Sequence, residues 1–388
     1  MADLKDMIIA SMPHGKEVLQ EIADKRKSGT DYRLEVGKVD ANVGKYHKNR
    51  LNLVVNKIIE HGTLARTIRL TAKEGILPIF EAGQYLNLFT VIDGVRTSRP
   101  YSISSSPLQR GYYEITIARI KAGFVSDYCI DNIKVGNKFT ANGPAGAFHY
   151  NPIFHSKKSV MIAGGSGITP FISMCREIFD SRLEREVHLI YGCRNSESIL
   201  FQEELQALSD SYENFTFSLV LSEPEDGFTG CKGFIDAVCL TKLIQDIKGS
   251  TFYICGPQIM NDFVVKALES LHVRKAMIRR EMFGSRQDIE NEPGWPTKLN
   301  GKEIFTITVD GKKKIKGLSG ESILTSLERA GIRMNVCCRS GECSLCRVQL
   351  TGGEVFLAKG MLLRYADEKF GYIHSCKAFP ISDVSINL

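Results

Sequence analysis

Cys338-Arg-Ser-Gly-Glu-Cys343-Ser-Leu-Cys346 decides how the C-terminal part of this chain is read, and Cys376 follows after 29 further residues. The spacing C-x4-C-x2-C with a distant fourth cysteine is that in which four thiolates hold a two-iron, two-sulfur (2Fe–2S) core. Three thiolates packed into nine residues force a tight loop. Gly341, with the small Ser340 and Ser344, lets backbone amides turn toward the negatively charged sulfurs. The competing readings are a zinc site or unconnected core cysteines. Zinc ligands more often come as two C-x2-C pairs, and this loop holds one. The spacing therefore favours an iron–sulfur centre with Cys338, Cys343, Cys346 and Cys376 as ligands. Counted from Cys337 the first gap would be one residue too long, so Cys337 reads as a packed neighbour.

Working outward, Glu321 to Ala330 (ESILTSLERA) predicts an amphipathic helix with Ile323, Leu324 and Leu327 on one face. Arg347 to Leu350 alternates like a strand, and Ser382 to Leu388 reads as a terminal one. Residues 301–388 resemble the plant-type ferredoxin domain, which implies an α+β, β-grasp-like fold. This segment carries 13 Lys and Arg against 9 Asp and Glu, a net +4. Arg339 and Arg347 lie in or beside the cluster loop, which suggests docking on an acidic acceptor; the alternative is a plain solvated surface. Upstream, residues 285–300 are polar, hold Pro and Gly, show no periodicity, and read as a linker.

Residues 155–284 alternate strand and helix, the pattern of a parallel α/β sheet. Ser159 to Ala163 is a buried strand that runs into Gly164-Gly165-Ser166-Gly167-Ile168-Thr169-Pro170 and then a helix from Phe171 to Asp180. Strand, glycine-rich turn and helix start together make a phosphate-binding unit. Further strands are predicted at Glu186–Tyr191, Thr216–Leu221 and Thr251–Cys255. The last ends in Cys255-Gly256-Pro257-Gln-Ile-Met260, and ligands of such sheets bind beyond the strands' carboxyl ends, where these turns fall. Cys255 alone reads equally as a core thiol. Arg194, after the second strand, is a candidate partner for an NADP 2′-phosphate. Yet the third strand ends Ser222-Glu223-Pro-Glu-Asp, and carboxylates there would repel a phosphate, which favours NADH over NADPH. Ala276 to Gly284 is read as the closing strand.

Residues 51–154 show short strands at regular spacing, Leu53–Ile58, Ala65–Leu70 and Gln84–Phe89, which suggest a small antiparallel barrel. Arg99-Pro-Tyr101-Ser102 follows. An arginine offers a charge-assisted clamp for a phosphate, and a tyrosine an amphipathic surface for a flavin ring or ribityl chain. Gly123-Phe-Val-Ser126 opens a helix whose free amides face a phosphate, with an ordinary N-cap as the bland reading of Ser126. Gly143-Pro-Ala-Gly146-Ala-Phe148 is a glycine-punctuated turn.

These motifs, in this order, resemble the ferredoxin–NADP reductase family. The resemblance implies that Arg99, Tyr101, Ser102, Gly123 and Ser126 contact the flavin and its phosphates. It also implies FAD in preference to FMN, because the second motif is the one associated with the pyrophosphate. Gly164, Gly165, Gly167, Thr169, Gly256 and Pro257 would then meet the nicotinamide nucleotide. Cys255 would align the nicotinamide with the flavin, and Phe283 would cover the flavin ring. Flavin, nicotinamide and ferredoxin segments in that order resemble the reductase components of multicomponent oxygenases, of the phthalate dioxygenase reductase type, and reductases that serve hybrid cluster proteins. Residues 1–50 fall outside the resemblance: Lys16 to Lys27 predicts a short helix, and Lys45 to Arg50 a basic connector.

A chain of 388 residues is too long for one core. No apolar run is long enough to cross a bilayer, so no membrane insertion is expected. The net charge of +6 is spread without a basic run, which argues against nucleic acid. Eleven cysteines and an N-terminus unlike a signal peptide point to a reducing, cytoplasmic setting. A hydride donor gives two electrons at once and a 2Fe–2S centre takes one, and a flavin can do both. The expected function is an NAD(P)H oxidoreductase passing electrons through FAD and the cluster to a redox protein acceptor. The alternative is a relay or redox-sensing subunit held in a larger complex, with residues 1–50 as its binding arm.

Overall fold

The computed structural model describes residues 4–28, 50–120, 123–282, 288–359 and 361–388. Phe283, Gly284 and, save Arg50, the connector expected at 45–50 lie outside the described residues. The chain divides into two compact units, Met1–Asn49 and Arg50–Leu388. In the first, α1 (Leu4–Ala10) and α2 (Gly15–Lys27) form a short helical pair. A Cβ at Gly15 would lie 1.6 Å from the Ile9 carbonyl oxygen, so only glycine permits that turn.

The second unit begins with six antiparallel strands: β1 (Leu51–His61), β2 (Ala65–Ala72), β3 (Tyr85–Ile92), β4 (Val95–Ser102), β5 (Tyr113–Ala118) and β6 (Lys138–Ala145). Their order is β4-β3-β6-β1-β2-β5, and a bridge between Ile103 and Ile115 joins the two edges. β4 lies at an edge of the order, where Pro100 removes no obligatory ladder bond. Leu51, Leu53 and Val55 alternate inward along β1, and α3 (Phe124–Asn132) lays Val125, Cys129 and Ile130 against the same core.

A parallel six-stranded sheet follows, built from β7 (Lys158–Gly164), β8 (Glu186–Cys193), β9 (Phe215–Leu221), β10 (Cys231–Lys232), β11 (Thr251–Cys255) and β12 (Ile278–Glu281). The order is β10-β9-β8-β7-β11-β12. Alternate residues serve two cores. Met161, Leu189 and Tyr253 meet α4 (Thr169–Asp180) and the region of α5 (Gln202–Ser211), while Val160, Ile162 and Ile254 meet α6 (Ala237–Leu243) and α7 (Gln258–Ser270). Burial on both faces is why these strands read as continuous apolar runs. Strand order reverses between β7 and β11, which opens a crevice at their carboxyl ends. Among the described residues of the expected closing strand, Ile278–Glu281 pairs, and Lys275–Met277 forms a helical turn before it.

The C-terminal part has a five-stranded sheet ordered β14-β13-β19-β15-β17, where β13 is Ile304–Val309, β14 Lys313–Leu318, β15 Arg347–Gly352, β17 Tyr372–His374 and β19 Val384–Asn387. β16 (Val355–Leu357) and β18 (Ala378–Pro380) form a separate pair. Helix α8 (Ile323–Arg329) sits on this β-grasp-like sheet, and α9 (Tyr365–Lys369) precedes β17. Ser322 caps α8 by accepting from the Thr325 amide, which trims the helix from the span its periodicity predicts. From Asp288 on, the segment read as a linker is packed. Ile289 and Trp295 are buried with Ala358 and Phe379, and the Trp295 indole donates to the Leu299 carbonyl oxygen at 2.9 Å. Two isolated apolar anchors in a polar run leave no periodic signal, and so the packing was invisible in the sequence. Among the described residues, no helix is long and apolar enough to cross a membrane.

Candidate functional site

Three residues of the cysteine loop hold left-handed backbone, Arg339 (φ 54°), Gly341 (φ 83°) and Ser344 (φ 58°), and this curls the loop back on itself. Amide hydrogens of Ser340 and Cys343 donate to Cys338 Sγ, each at 3.4 Å. The Cys343 thiol, and after it these donors, pull the Cys338 thiol well below its ordinary range. The thiols meet two by two, Cys338 with Cys343 and Cys346 with Cys376. Among the described residues, no three His, Cys, Asp or Glu converge as one metal ion would require. Two thiol pairs with amide donors suit a two-iron core, which these four cysteines would hold. His374 Nδ1 donates to the Gly341 carbonyl oxygen at 2.8 Å and so fixes the tip of the loop.

The loop is pressed against the barrel. Tyr85, Asn87 and Phe89 are alternate residues of β3. Tyr85 packs on Cys337 and Cys338, the Asn87 amide donates to the Val336 carbonyl oxygen at 2.9 Å, and Phe89 packs with Leu324, Cys346 and Cys376. Cys337 is accordingly a packed neighbour, its thiol 3.8 Å from the Tyr85 hydroxyl. Sequence reading passed over these three barrel residues. Asn87, a buried amide inside an apolar strand, was the available signal.

A cavity of about 450 Å³ lies where the barrel, the parallel sheet and the C-terminal domain meet. Of the expected residues, Arg99, Tyr101, Ser102, Gly123, Ser126 and Thr169 line it together. Ser322, Thr325 and Arg339 of the C-terminal domain join them, none of which was expected there. Ser102 Oγ is buried with no hydrogen-bond partner, and an unpartnered buried hydroxyl in a cavity wall fits a polar ligand such as a flavin. Burial, and after it Arg339, lowers Arg99 to about 10. Burial pushes the Tyr101 hydroxyl up, so it remains neutral.

The glycine turns form a second, adjoining surface. A Cβ at Gly167 would lie 2.1 Å from the Cys255 carbonyl oxygen, and one at Gly256 3.1 Å from the Gly164 backbone. The turns after β7 and β11 thus touch, with Gly164, Gly165, Gly256 and Pro257 around the junction. Cys255, fully buried, pairs in register with Ala163 on one side and Glu281 on the other. Burial and then Glu281 push its thiol well up, so Cys255 acts as a neutral group and not as a thiolate. Glu281 is itself buried, with Oε2 unpartnered and its carboxyl held well above the usual range by burial and then Glu342. Arg194 stands apart on the surface, its Nε donating to Glu223 at 2.8 Å.

Comparison with known proteins places three domains along the chain. Residues 50–150 match an oxidoreductase FAD-binding domain, 161–266 an oxidoreductase NAD-binding domain, and 307–380 a 2Fe-2S iron-sulfur cluster binding domain. The chain belongs to the ferredoxin–NADP reductase-type flavin and nicotinamide oxidoreductases that carry a C-terminal ferredoxin domain. The reductase is 29% identical to a glycine betaine monooxygenase reductase subunit of Pseudomonas aeruginosa, over 85% of this chain and 93% of that one. It is 31% identical to NADH-cytochrome b5 reductase 1 of Dictyostelium discoideum, over 57% of this chain and 77% of the other. Phthalate dioxygenase reductase superposes with a TM-score of 0.65 at 26% identity, over 87% of this chain and 98% of that chain. The reductase is therefore an NAD(P)H-dependent electron-transfer oxidoreductase with FAD-binding, NAD-binding and 2Fe–2S domains.

Proposed function

We propose that the reductase oxidises NADH with FAD as its flavin and delivers electrons singly, through the 2Fe–2S centre, to an oxygenase component. The observation that carries this reading is the cavity at which all three domains meet. When bound, the nicotinamide supplies a hydride, the flavin accepts two electrons and releases them one at a time, and the cluster carries one. The chain's own part is binding, alignment and exclusion of water. Arg99, Tyr101, Ser102, Gly123 and Ser126 hold the flavin. The reach of the cavity from Arg99 to the start of α3 provides for two phosphates, which favours FAD over FMN. Gly164, Gly165, Gly167, Thr169, Gly256 and Pro257 would shape the nicotinamide site, with Cys255 the residue that would align the nicotinamide there. Cys338, Cys343, Cys346 and Cys376 ligate the cluster. The same reading divides the second unit at 51–154, 155–284 and 301–388.

For the nucleotide, the pairing of Arg194 with Glu223 removes the one cation expected to favour a 2′-phosphate. Glu225 accepts from both the amide and the hydroxyl of Ser196 and adds a second carboxylate beside it. NADH, whose ribose hydroxyls can donate to carboxylates, is the better fit. Arg339 is buried and takes no part in docking. Leu345, beside Cys346, is 49% exposed, and with the net +4 of residues 302–388 it offers an apolar contact with a basic surround to an acidic acceptor. Eleven cysteines with no disulfide among them suit the cytoplasm. The test is the absorption spectrum of the purified chain with steady-state kinetics on ferricyanide using NADH and NADPH. Flavin and iron–sulfur bands with a preference for NADH are expected. A colourless protein defeats the electron-transfer assignment, and a large NADPH advantage defeats the nucleotide assignment.

A further inference from the structure

Arg339 lies between two cluster ligands, yet its side chain points away from the cluster and into the flavin cavity. It is 6% exposed. Its guanidinium is ion-paired to Glu328 of α8 and donates to Ser98 Oγ at 3.3 Å and Thr97 Oγ1 at 3.4 Å, both on β4. Arg99 Nη1 donates to the same Thr97 hydroxyl at 2.9 Å and to the Ser98 carbonyl oxygen at 2.7 Å. Thr97 Oγ1 in turn donates to Glu328 at 2.9 Å. Two guanidinium groups therefore converge on one hydroxyl with one carboxylate between them. Glu321 also lines the cavity, but its oxygens are engaged by Arg329 and Ser326. One buried positive charge remains uncompensated at this end of the cavity. Burying a lone charge is costly, and an anion in the cavity would relieve that cost.

We propose that Arg339 is a binding residue of the flavin site, which completes with Arg99 the anion cradle for a flavin phosphate. The cluster loop is then a wall of the flavin pocket, and the flavin is held fully only when that loop is folded. This rests on the flavin assignment made above and adds to it a residue from the ferredoxin domain. Arg339 also holds left-handed backbone, φ 54°, an uncommon conformation for a residue other than glycine.

The experiment titrates FAD, FMN and riboflavin, by flavin fluorescence, into flavin-stripped full-length protein that retains its iron. Riboflavin lacks the phosphate and so separates loss of the anion cradle from general damage. For Arg339→Gln the dissociation constants of FAD and FMN should rise at least tenfold while that of riboflavin changes less than twofold. Thr97→Val leaves the cluster loop untouched and removes the shared hydroxyl; a smaller rise, again confined to the phosphorylated flavins, is expected. If Arg339→Gln loses its iron, Thr97→Val decides alone. Equal weakening of all three ligands, or no weakening of any, overturns the inference while wild-type binding keeps the flavin assignment intact. A wild-type protein that binds none of the three overturns the flavin assignment itself.

Discussion

Adding one methyl group to Gly167 should disable hydride transfer while leaving the protein folded. A Cβ built there lies 2.1 Å from the Cys255 carbonyl oxygen, 2.5 Å from its carbon and 2.7 Å from the Gly256 nitrogen. All three are backbone atoms at the end of a fully buried strand, so no side chain can swing aside. Ordinary carbon–oxygen contact needs about 3.3 Å, and the turns after β7 and β11 must separate by roughly 1 Å. Overpacking of this kind costs about 1–3 kcal/mol of stability. Its larger effect falls on alignment, since a displacement of about 1 Å between reacting groups lowers a rate by about 100-fold. Gly165 is the matched control. It has nothing within 4 Å of its added Cβ but a φ of 52°, so Gly165→Ala meets only a left-handed backbone penalty of about 1 kcal/mol. Rapid mixing with NADH, followed at the flavin band, reads the hydride step directly, and thermal melting reads stability. Gly167→Ala should slow flavin reduction by about two orders of magnitude, and Gly165→Ala by only a few-fold. A Gly167→Ala protein that reduces its flavin within twofold of wild type would refute the close packing of the two turns and the placement of the nicotinamide against it.

Reversing the charge that engages Arg194, with Glu223→Arg, should raise kcat/KM for NADPH by about tenfold or more relative to NADH; an unchanged ratio would place the ribose elsewhere. Glu281 has a folded-state pKa raised above the ordinary 4.5, so the unfolded chain releases a proton that the folded chain keeps. Stability therefore falls as pH rises above about 4.5, by up to about 1.4 kcal/mol per pH unit. Melting curves of Glu281→Gln and wild type should diverge toward alkaline pH, with the variant the more stable, and parallel curves would count against a buried neutral carboxyl. Trp295, the single tryptophan, anchors the segment between the nicotinamide and ferredoxin domains. Trp295→Phe should destabilise the C-terminal domain measurably, and in the wild type tryptophan emission should shift together with loss of the iron–sulfur absorption on urea unfolding.

Much of the architecture could be read in advance because its signals are local. The cysteine spacing, the glycine turns at strand ends and the alternation along β1 each lie within a dozen residues. The parallel strands showed as apolar runs because both faces are buried, and Thr251–Cys255 was legible to the residue. The site was legible only in part. Arg99, Tyr101, Ser102, Gly123 and Ser126 carry recognisable residue types at recognisable spacings, and the cavity brings them together. Thr97 and Glu328 bear no such mark. A threonine in a strand and a glutamate in an amphipathic helix look like surface residues until tertiary packing buries them.

Arg339 shows why charge counted along a chain misleads at a domain junction. In the sequence it adds to a net positive ferredoxin segment and reads as part of a docking face. In the fold it is ion-paired to Glu328, 11 residues before it, and held by Ser98, 241 residues before it. Neither partner can be chosen from sequence, because the Glu328 pairing exists only once the C-terminal domain is folded and the Ser98 contact only once that domain is seated on the barrel. That seating places β3 against the cysteine loop on one side and β4 against Arg339 on the other. One strand hairpin thus contacts both the cysteine loop and the Arg339 guanidinium beside the cavity. Since Tyr85, Asn87 and Phe89 alternate with residues facing the opposite way, a register slip of one residue in β3 would break the cluster contacts and the barrel core together. The seating of the C-terminal domain is in this sense tied to barrel register as well as to the packed segment that joins the domains.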